Sequence, residues 1–437
     1  MMIARFALPL LLALGLSAQG AAQTRQPIEP VDIPPSVEQG VDMIYVDPEI
    51  APEVGERDAL LKDLALKADD PGAPVDLFLP VHPLYTDLRR GLVRYRMTWG
   101  ALPDVVIPEG PPLKPGAAGE RVALLRERLG LSPGTRYDAV LANAVRDFQG
   151  VHALKADGVA GPGTIAALNL GPDHFERLLL VNLERARRLP AESDAGRYIL
   201  VDAGAAQISL YENGKAVDSM RAIVGSAKTP TPMMAALMRF ASVNPYWNVP
   251  PDLVKTLIAP KVVANGLPYL EEREYDILSD WSDDAEPVDP ASLDWPAIAA
   301  EGTSMRFRRR PGPWNSMGRI KFMMPNDYGI YLHDTPDKSL FAAEDRWISN
   351  GCVRVEDAER LATWLFGRMP EGSDPKVEEQ VDLEDPVPVY ITYMTAAPTA
   401  DGGVLFRADP YGRDPALIAR YFGADGGDAS DIALATP

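Results

Sequence analysis

At Arg197 the apolar pattern of the chain changes period, and this constrains what can be built on either side. Before it, apolar residues recur every three or four positions, the spacing of one helix face (Leu60, Leu61, Leu64, Leu66; Leu84, Leu88, Leu92; Val122, Leu125, Leu129; Leu141, Val145, Phe148; Phe175, Leu178, Leu179, Leu183). After it come short β-rich runs: Tyr198–Val201, Gln207–Tyr211, Ser219–Val224, Met238–Val243, Ile320–Met323, Ile330–His333, Cys352–Val355 and Val387–Tyr393. Asn213-Gly214 between the second and third runs is a two-residue hairpin signal. Only Asp357–Phe366 reads as a helix among the late strands, so residues 197–395 are expected to form a mainly-β unit.

Between 250 and 317 the strand rhythm breaks into an acidic, proline-containing stretch with a helix-like run at Leu253–Val263. A structureless loop of that length does not suit a compact domain, so the stretch is expected to be an inserted cap. On the N-terminal side, residues 24–115 read as a proline-rich lead-in and helical scaffold. Residues 116–170 form a compact helical unit, and 171–196 a connector helix. The tail, 396–437, is polar with one short helix expected at Pro415–Phe422. The expected class is multidomain α+β.

Residues 1–23 have the layout of a cleaved secretory signal peptide: Arg5, an apolar run from Phe6 to Leu16, then small residues to Ala22. That predicts a periplasmic protein, without a lipid-modified cysteine at the cleavage site. A net charge of −19 argues against nucleic acid or an anionic membrane surface as partner.

An exported chain with one cysteine cannot use it for an internal disulfide. Cys352 lies in Ser349-Asn350-Gly351-Cys352-Val353-Arg354, downstream of Tyr331-Leu332-His333-Asp334, which holds one of only four histidines. The thiolate is the nucleophilic form of cysteine, and a nearby imidazole is the usual means of generating it. Cys352 is therefore the candidate nucleophile and His333 the candidate base. Gly351 lets a substrate carbonyl approach closely, and backbone N–H groups of Gly351 and Cys352 are candidates for an oxyanion hole. The third group, which orients His333, is left open; Asp334, on the opposite face of a strand, is a poorer candidate than a main-chain carbonyl. His82, His152 and His174 share no spacing that would supply a zinc site, so a zinc enzyme is not expected.

The string Phe148-Gln149, Leu154, Asp157-Gly158, Gly161, Thr164 and Ala167-Leu168-Asn169 resembles the three-helix peptidoglycan-binding domain found beside many cell-wall enzymes. The His333 and Cys352 strings together resemble the signature of the L,D-transpeptidases, whose β-sandwich catalytic domain is called the YkuD fold. Asn350 stands where that family commonly has a second histidine, leaving His333 as the base. The blocks Asn182–Arg185, Tyr198–Val201, Asn244–Pro251 and Pro311–Gly318 resemble the large Gram-negative members, which carry a peptidoglycan-binding domain and a capping subdomain.

The resemblance implies that Cys352 attacks the carbonyl of the third residue of a tetrapeptide stem and expels D-Ala. A second stem's amine then resolves the thioester as a 3→3 cross-link, with His333 moving the protons. It also implies that no metal, nucleotide or organic cofactor is needed, and that a carbapenem forms an adduct on Cys352. Peptidoglycan stem peptides are the expected partners, donor and acceptor. Arg354 is a candidate to anchor a substrate carboxylate, with Ser349, Asn350, Tyr331, Tyr246 and Trp247 as further candidates lining the cleft. Water as acceptor would give an L,D-carboxypeptidase, and a protein acceptor would give attachment of that protein to the wall. A non-catalytic wall-binding scaffold is the reading the His333/Cys352 pair disfavours.

Overall fold

The computed structural model describes residues 43–46, 81–191 and 196–423. The expected leader, the helical run at Leu60–Leu66 and the end of the tail lie outside the described residues.

One ten-stranded sheet dominates. Its strands are β1 (Met43–Val46), β2 (Arg197–Asp202), β3 (Gln207–Glu212), β4 (Lys215–Gly225) and β5 (Met234–Val243), then β9 (Ile320–Met323), β10 (Leu332–His333), β11 (Trp347–Ser349), β12 (Val353–Val355) and β13 (Glu379–Thr392). The β2–β3–β4 meander follows from alternating apolar residues. Asn213 and Gly214 both have positive φ, +50° and +74°, as a tight hairpin turn requires. The order is β1-β5-β13-β2-β3-β4-β12-β10-β9, and β9 pairs back onto β5, Phe240 opposite Met323 through Val243 opposite Ile320. The expected sandwich is thus one sheet closed on itself. Its interior holds Ile199, Val201, Ile208, Leu210, Phe322, Leu332, Val353 and Val389, with Leu361 and Leu365 of a helix at Ala358–Phe366 packed against them.

β1 and β11 were not foreseen from the sequence, and β13 begins well before the expected Val387. Its first half alternates polar, outward-facing residues, and the ladder to β5 shifts register between Asp382 and Val387, where Pro386 cannot donate. The inserted stretch has a core of its own around Val249, Val254, Ile258, Ile277, Trp295 and Phe307. It also has its own sheet, in which β8 (Arg306–Arg309) lies between β6 (Trp247–Val249) and β7 (Tyr275–Leu278). The buried amide of Asn315 ties the end of this cap to the barrel by donating to the carbonyls of Pro245, Arg309 and Arg310.

The N-terminal helices are α1 (Pro83–Met97), α2 (Glu120–Arg128), α3 (Ala139–Val151), α4 (Pro162–Asn169) and α5 (Gly171–Arg187). α2, α3 and α4 close over Val122, Leu125, Leu141, Val145, Ile165 and Leu168. Gln149 holds their glycine turn: its carbonyl accepts from Gly158 N–H, and its amide donates to Val159 O and Thr164 Oγ1.

The tail does more than its polar composition suggests. Strands β14 (Ala396–Pro398) and β15 (Val404–Phe406) and helix α6 (Asp414–Phe422) share an apolar cluster with α1 and α5. His152, at the end of α3, sits among Tyr95, Trp99, Phe175 and Phe406 where this cluster meets the α2–α4 unit. Fully buried Asn182 of α5 accepts from the N–H groups of Thr395 and Ala396.

Asn182→Ala would leave both N–H groups buried and unpaired, so it should lower unfolding free energy by roughly 2–4 kcal/mol. Urea denaturation followed by circular dichroism checks this; a loss below about 0.5 kcal/mol would contradict the assigned bonds.

Candidate active site

Parallel pairing of β10 with β12 sets Leu332 beside Val353 and His333 beside Arg354. Side chains alternate along a strand. Leu332, Val353 and Val355 therefore enter the barrel core, while Tyr331, His333 and Arg354 take the other face, where Cys352 also belongs by alternation. The Tyr331 and His333 rings lie 5.7 Å apart. On the far side β9 runs antiparallel and places Lys321 opposite His333. The expected residues are thus brought onto one face by register alone.

His333 is 3% exposed, and its Nδ1 lies 2.5 Å from the carbonyl oxygen of Asp334. A carbonyl only accepts, so Nδ1 carries the proton and Nε2 presents a lone pair. The Asp334 carboxylate turns away, accepting from Arg319 N–H at 2.9 Å and from Lys338 Nζ at 2.6 Å. That placement requires Gly318, since a Cβ there would lie 2.3 Å from Asp334 Oδ2.

The turn before the thiol is held from several directions. Ser349 Oγ donates to Cys352 O at 2.6 Å and accepts from Gly351 N–H at 3.2 Å. Gly351 has φ +113°, a conformation in which other residues are strained. Its carbonyl accepts from Thr231 Oγ1 at 2.7 Å. Of the two expected oxyanion donors, Gly351 N–H is engaged by Ser349 in this structure. Among the described residues Cys352 N–H has no hydrogen-bond partner.

Burial raises the Cys352 thiol above its ordinary range, opposed by hydrogen bonds from Tyr331 and by the charges of Arg354 and Lys321. Burial, and then Arg354, lowers His333 to about 3, opposed by the Asp334 carbonyl. Thiol and imidazole are therefore both uncharged at rest. The thiol points to Gly329 O at 3.7 Å, and the structure gives no hydrogen bond between His333 and Cys352. Such contacts in unliganded sites are often long and tighten on substrate binding.

The remaining expected residues fall into separate places. Arg354 is half-buried, with a buried Nε that has no hydrogen-bond partner. Ser349 is buried and its hydroxyl is committed to the turn, whereas Asn350 is exposed. Tyr331 directs its hydroxyl to Met317 Sδ at 3.5 Å. Trp247 packs in the cap core, and the Tyr246 ring lies under Arg308. Tyr246 reaches the site only indirectly: its N–H donates to Glu378, whose other oxygen pairs with Lys321 at 2.9 Å. Lys321, Glu378 and Thr231 were not singled out from the sequence. Alternation along Ile320–Met323 was the available signal for Lys321. Among the described residues no group of three or more His, Cys, Asp or Glu is placed to hold a metal ion.

Residues 196–391 match the family of the L,D-transpeptidase catalytic domain, YkuD. This chain carries a YkuD L,D-transpeptidase catalytic domain. Residues 122–168 match a second family, "Putative peptidoglycan binding domain", in the region of α2–α4. A Haemophilus influenzae protein described as "Putative L,D-transpeptidase" is 33% identical over 243 residues, 54% of this chain and 48% of that protein. The chain thus spans about half the length of that curated relative. Similar solved structures include an L,D-transpeptidase from Mycobacterium smegmatis (13% identity, 45% of this chain and 58% of that one, TM-score 0.23). Another is an L,D-transpeptidase from Xylanimonas cellulosilytica (18% identity, 65% and 98%, TM-score 0.19). At such scores the likeness carries no weight. The YkuD match includes His333 and Cys352 and ends before β14.

With burial raising its pKa, Cys352 rests as the thiol at pH 7. Alkylation by iodoacetamide should therefore keep rising through pH 9, and Arg354→Met, which removes a charge favouring the thiolate, should move the curve higher. A plateau already reached below pH 7 would contradict the neutral resting pair.

Proposed function

We propose that this protein is a periplasmic peptidoglycan L,D-transpeptidase that forms 3→3 cross-links through a thioester on Cys352. The observation that carries the reading is the shared sheet face, where His333 and Cys352 lie with Arg354 beside a free Cys352 N–H. The YkuD match supplies the reaction class, and the α2–α4 unit would hold the chain on its polymer.

In the first step Cys352 Sγ attacks the carbonyl between the third and fourth stem residues. His333 Nε2 takes the thiol proton as the C–S bond forms, and the tetrahedral oxyanion accepts from Cys352 N–H. Losing one such donor typically costs about 3 kcal/mol. His333 then returns the proton to the departing D-Ala amine as the C–N bond breaks, leaving a thioester. In the second step the acceptor amine attacks the thioester, His333 takes its proton, and Sγ leaves and is reprotonated. No external oxidant or energy source is required. Arg354 suits a substrate carboxylate because a guanidinium binds carboxylates through two parallel N–H bonds.

The leader expected at 1–23 and the wall-directed units support export. Among the described residues no helix is long and apolar enough to cross a membrane.

Incubation of the full chain with disaccharide-tetrapeptide muropeptides, read by mass spectrometry, should show D-Ala loss together with dimers. D-Ala loss without dimers would replace transfer by hydrolysis. Cys352→Ala should abolish turnover, and His333→Asn should lower kcat by about 10²–10⁴-fold. Full activity in Cys352→Ala would remove the nucleophile from this reading.

A further inference from the structure

The segment after β13 lies beyond the YkuD match, yet it reaches the turn that holds the thiol. Its anchor is on the helical scaffold, where Asp414 of α6 pairs with Arg185 of α5 at 2.7 Å, both side chains buried. Asp409 accepts from the N–H groups of Arg413 and Asp414 and from the Tyr393 hydroxyl. Tyr411 stacks on Tyr393 at 4.9 Å and 13°, with the Arg413 guanidinium over both rings. Tyr411 is only 8% exposed, and its hydroxyl donates to Gly225 O at 2.8 Å and accepts from Thr231 N–H at 3.4 Å.

Thr231 is fully buried, and its hydroxyl makes two bonds with opposite roles. It accepts from Gly225 N–H at 2.8 Å and donates to Gly351 O at 2.7 Å. The contact is tight: a Cβ on Gly225 would lie 2.1 Å from Thr229 O and 2.5 Å from Thr231 N. The same loop grips the turn on its other side, because Ser226 N–H and Thr229 Oγ1 both donate to Ser349 O. Displacing Thr231 therefore displaces the peptide group that carries Cys352 N–H, through the carbonyl of Gly351. That residue's φ of +113° is not one the chain would hold without support.

We propose that Tyr411 and Thr231 are positioning residues, two hydroxyls in series that transmit the placement of the C-terminal segment to Gly351 and so aim Cys352. Neither touches the reacting atoms. Their effect on turnover rests on the function proposed above, whereas their effect on the thiol does not. A misplacement on the order of 1 Å can cost about a hundredfold in rate, so a hydroxyl that fixes one carbonyl matters to kcat while leaving substrate affinity nearly alone.

The test uses the full chain with Tyr411→Phe, Thr231→Val and Thr231→Ser. Tyr411→Phe keeps the ring stack, and Thr231→Ser keeps the bridging hydroxyl. Three quantities are measured: the iodoacetamide rate at Cys352 against pH, the melting temperature, and kcat and KM on tetrapeptide muropeptides. Tyr411→Phe and Thr231→Val should move the alkylation midpoint by at least about half a pH unit. They should also lower kcat about tenfold or more with KM within about twofold, while Thr231→Ser restores the wild-type values. Lower melting temperatures with an unmoved alkylation profile in both variants would overturn the proposal, since the hydroxyls would then only stabilise the fold. If Thr231→Val fails to melt cooperatively, Tyr411→Phe decides. A shifted profile in a protein that leaves muropeptides untouched would retire the proposed activity and leave the relay standing.

Discussion

The pairing of Leu332 with Val353 governs the geometry of the site, because register mates on neighbouring strands project to one face. A slip of one residue would turn Cys352 into the barrel and Val353 out of it. β10 is only two residues long and has too few ladder bonds to fix its own register. The register is enforced from outside the ladder: Leu332, Val353 and Val355 are fully buried in the core. Val353 N–H donates to Tyr331 O at 3.1 Å. Lys338 staples the strand ends, bonding the Asp334 carboxylate and the carbonyls of Val355 and Glu356 with one ammonium. Closure of the sheet by β9 on β5 removes the remaining freedom.

That frame explains an electrostatic contrast. The chain carries a net −19, yet the cysteine lies near two cations, Arg354 and Lys321, and no carboxylate pairs with Arg354 among the described residues. These charges favour a thiolate and disfavour an imidazolium, so they pull against the classical ion pair of Cys and His. With both partners neutral, proton transfer accompanies C–S bond formation in the proposed reaction instead of preceding it. The neutral form also protects the thiol, since oxidants attack a thiolate more readily than a thiol. In the proposed reaction the cost is a nucleophile that depends on accurate aim, because its resting form is the thiol.

Much of this was legible in the sequence where the signal was local. The strand Ile320–Met323 has the expected bounds, the helix Ala139–Val151 carries the expected face of Leu141, Val145 and Phe148, and the Asn213-Gly214 turn has the expected conformation. Period and turn chemistry decide such elements within a few residues. Alternation along a strand counted against the Asp334 side chain as the partner of His333, but the identity of the partner, the Asp334 carbonyl, was not legible. What escaped was non-local. β11 is three residues flanked by turns, and it exists because Trp347 and Ser349 pair with the end of β4. The tail read as uninformative because Asp409, Tyr411 and Asp414 look like loop polarity until Tyr393 and Arg185 are brought to them. Gly351 was legible as a special backbone position, but the capture of its N–H by Ser349 was not, since two hydroxyl bonds across a turn leave no periodic trace.

Glu378 shows how the cap and the site are joined. One oxygen accepts the N–H of Tyr246, at the entry to the cap sheet, and the other holds Lys321, which lies opposite His333. A movement of the cap strand that breaks the first bond frees the carboxylate to turn, and the ammonium facing the imidazole loses its partner's fixed position. Lys321 is itself nearly buried, so its charge is poorly screened by water, and a shift in Glu378 is felt at His333 and Tyr331. The cap is thus joined to the sheet face of His333 through the Glu378 carboxylate, which fixes the ammonium of Lys321.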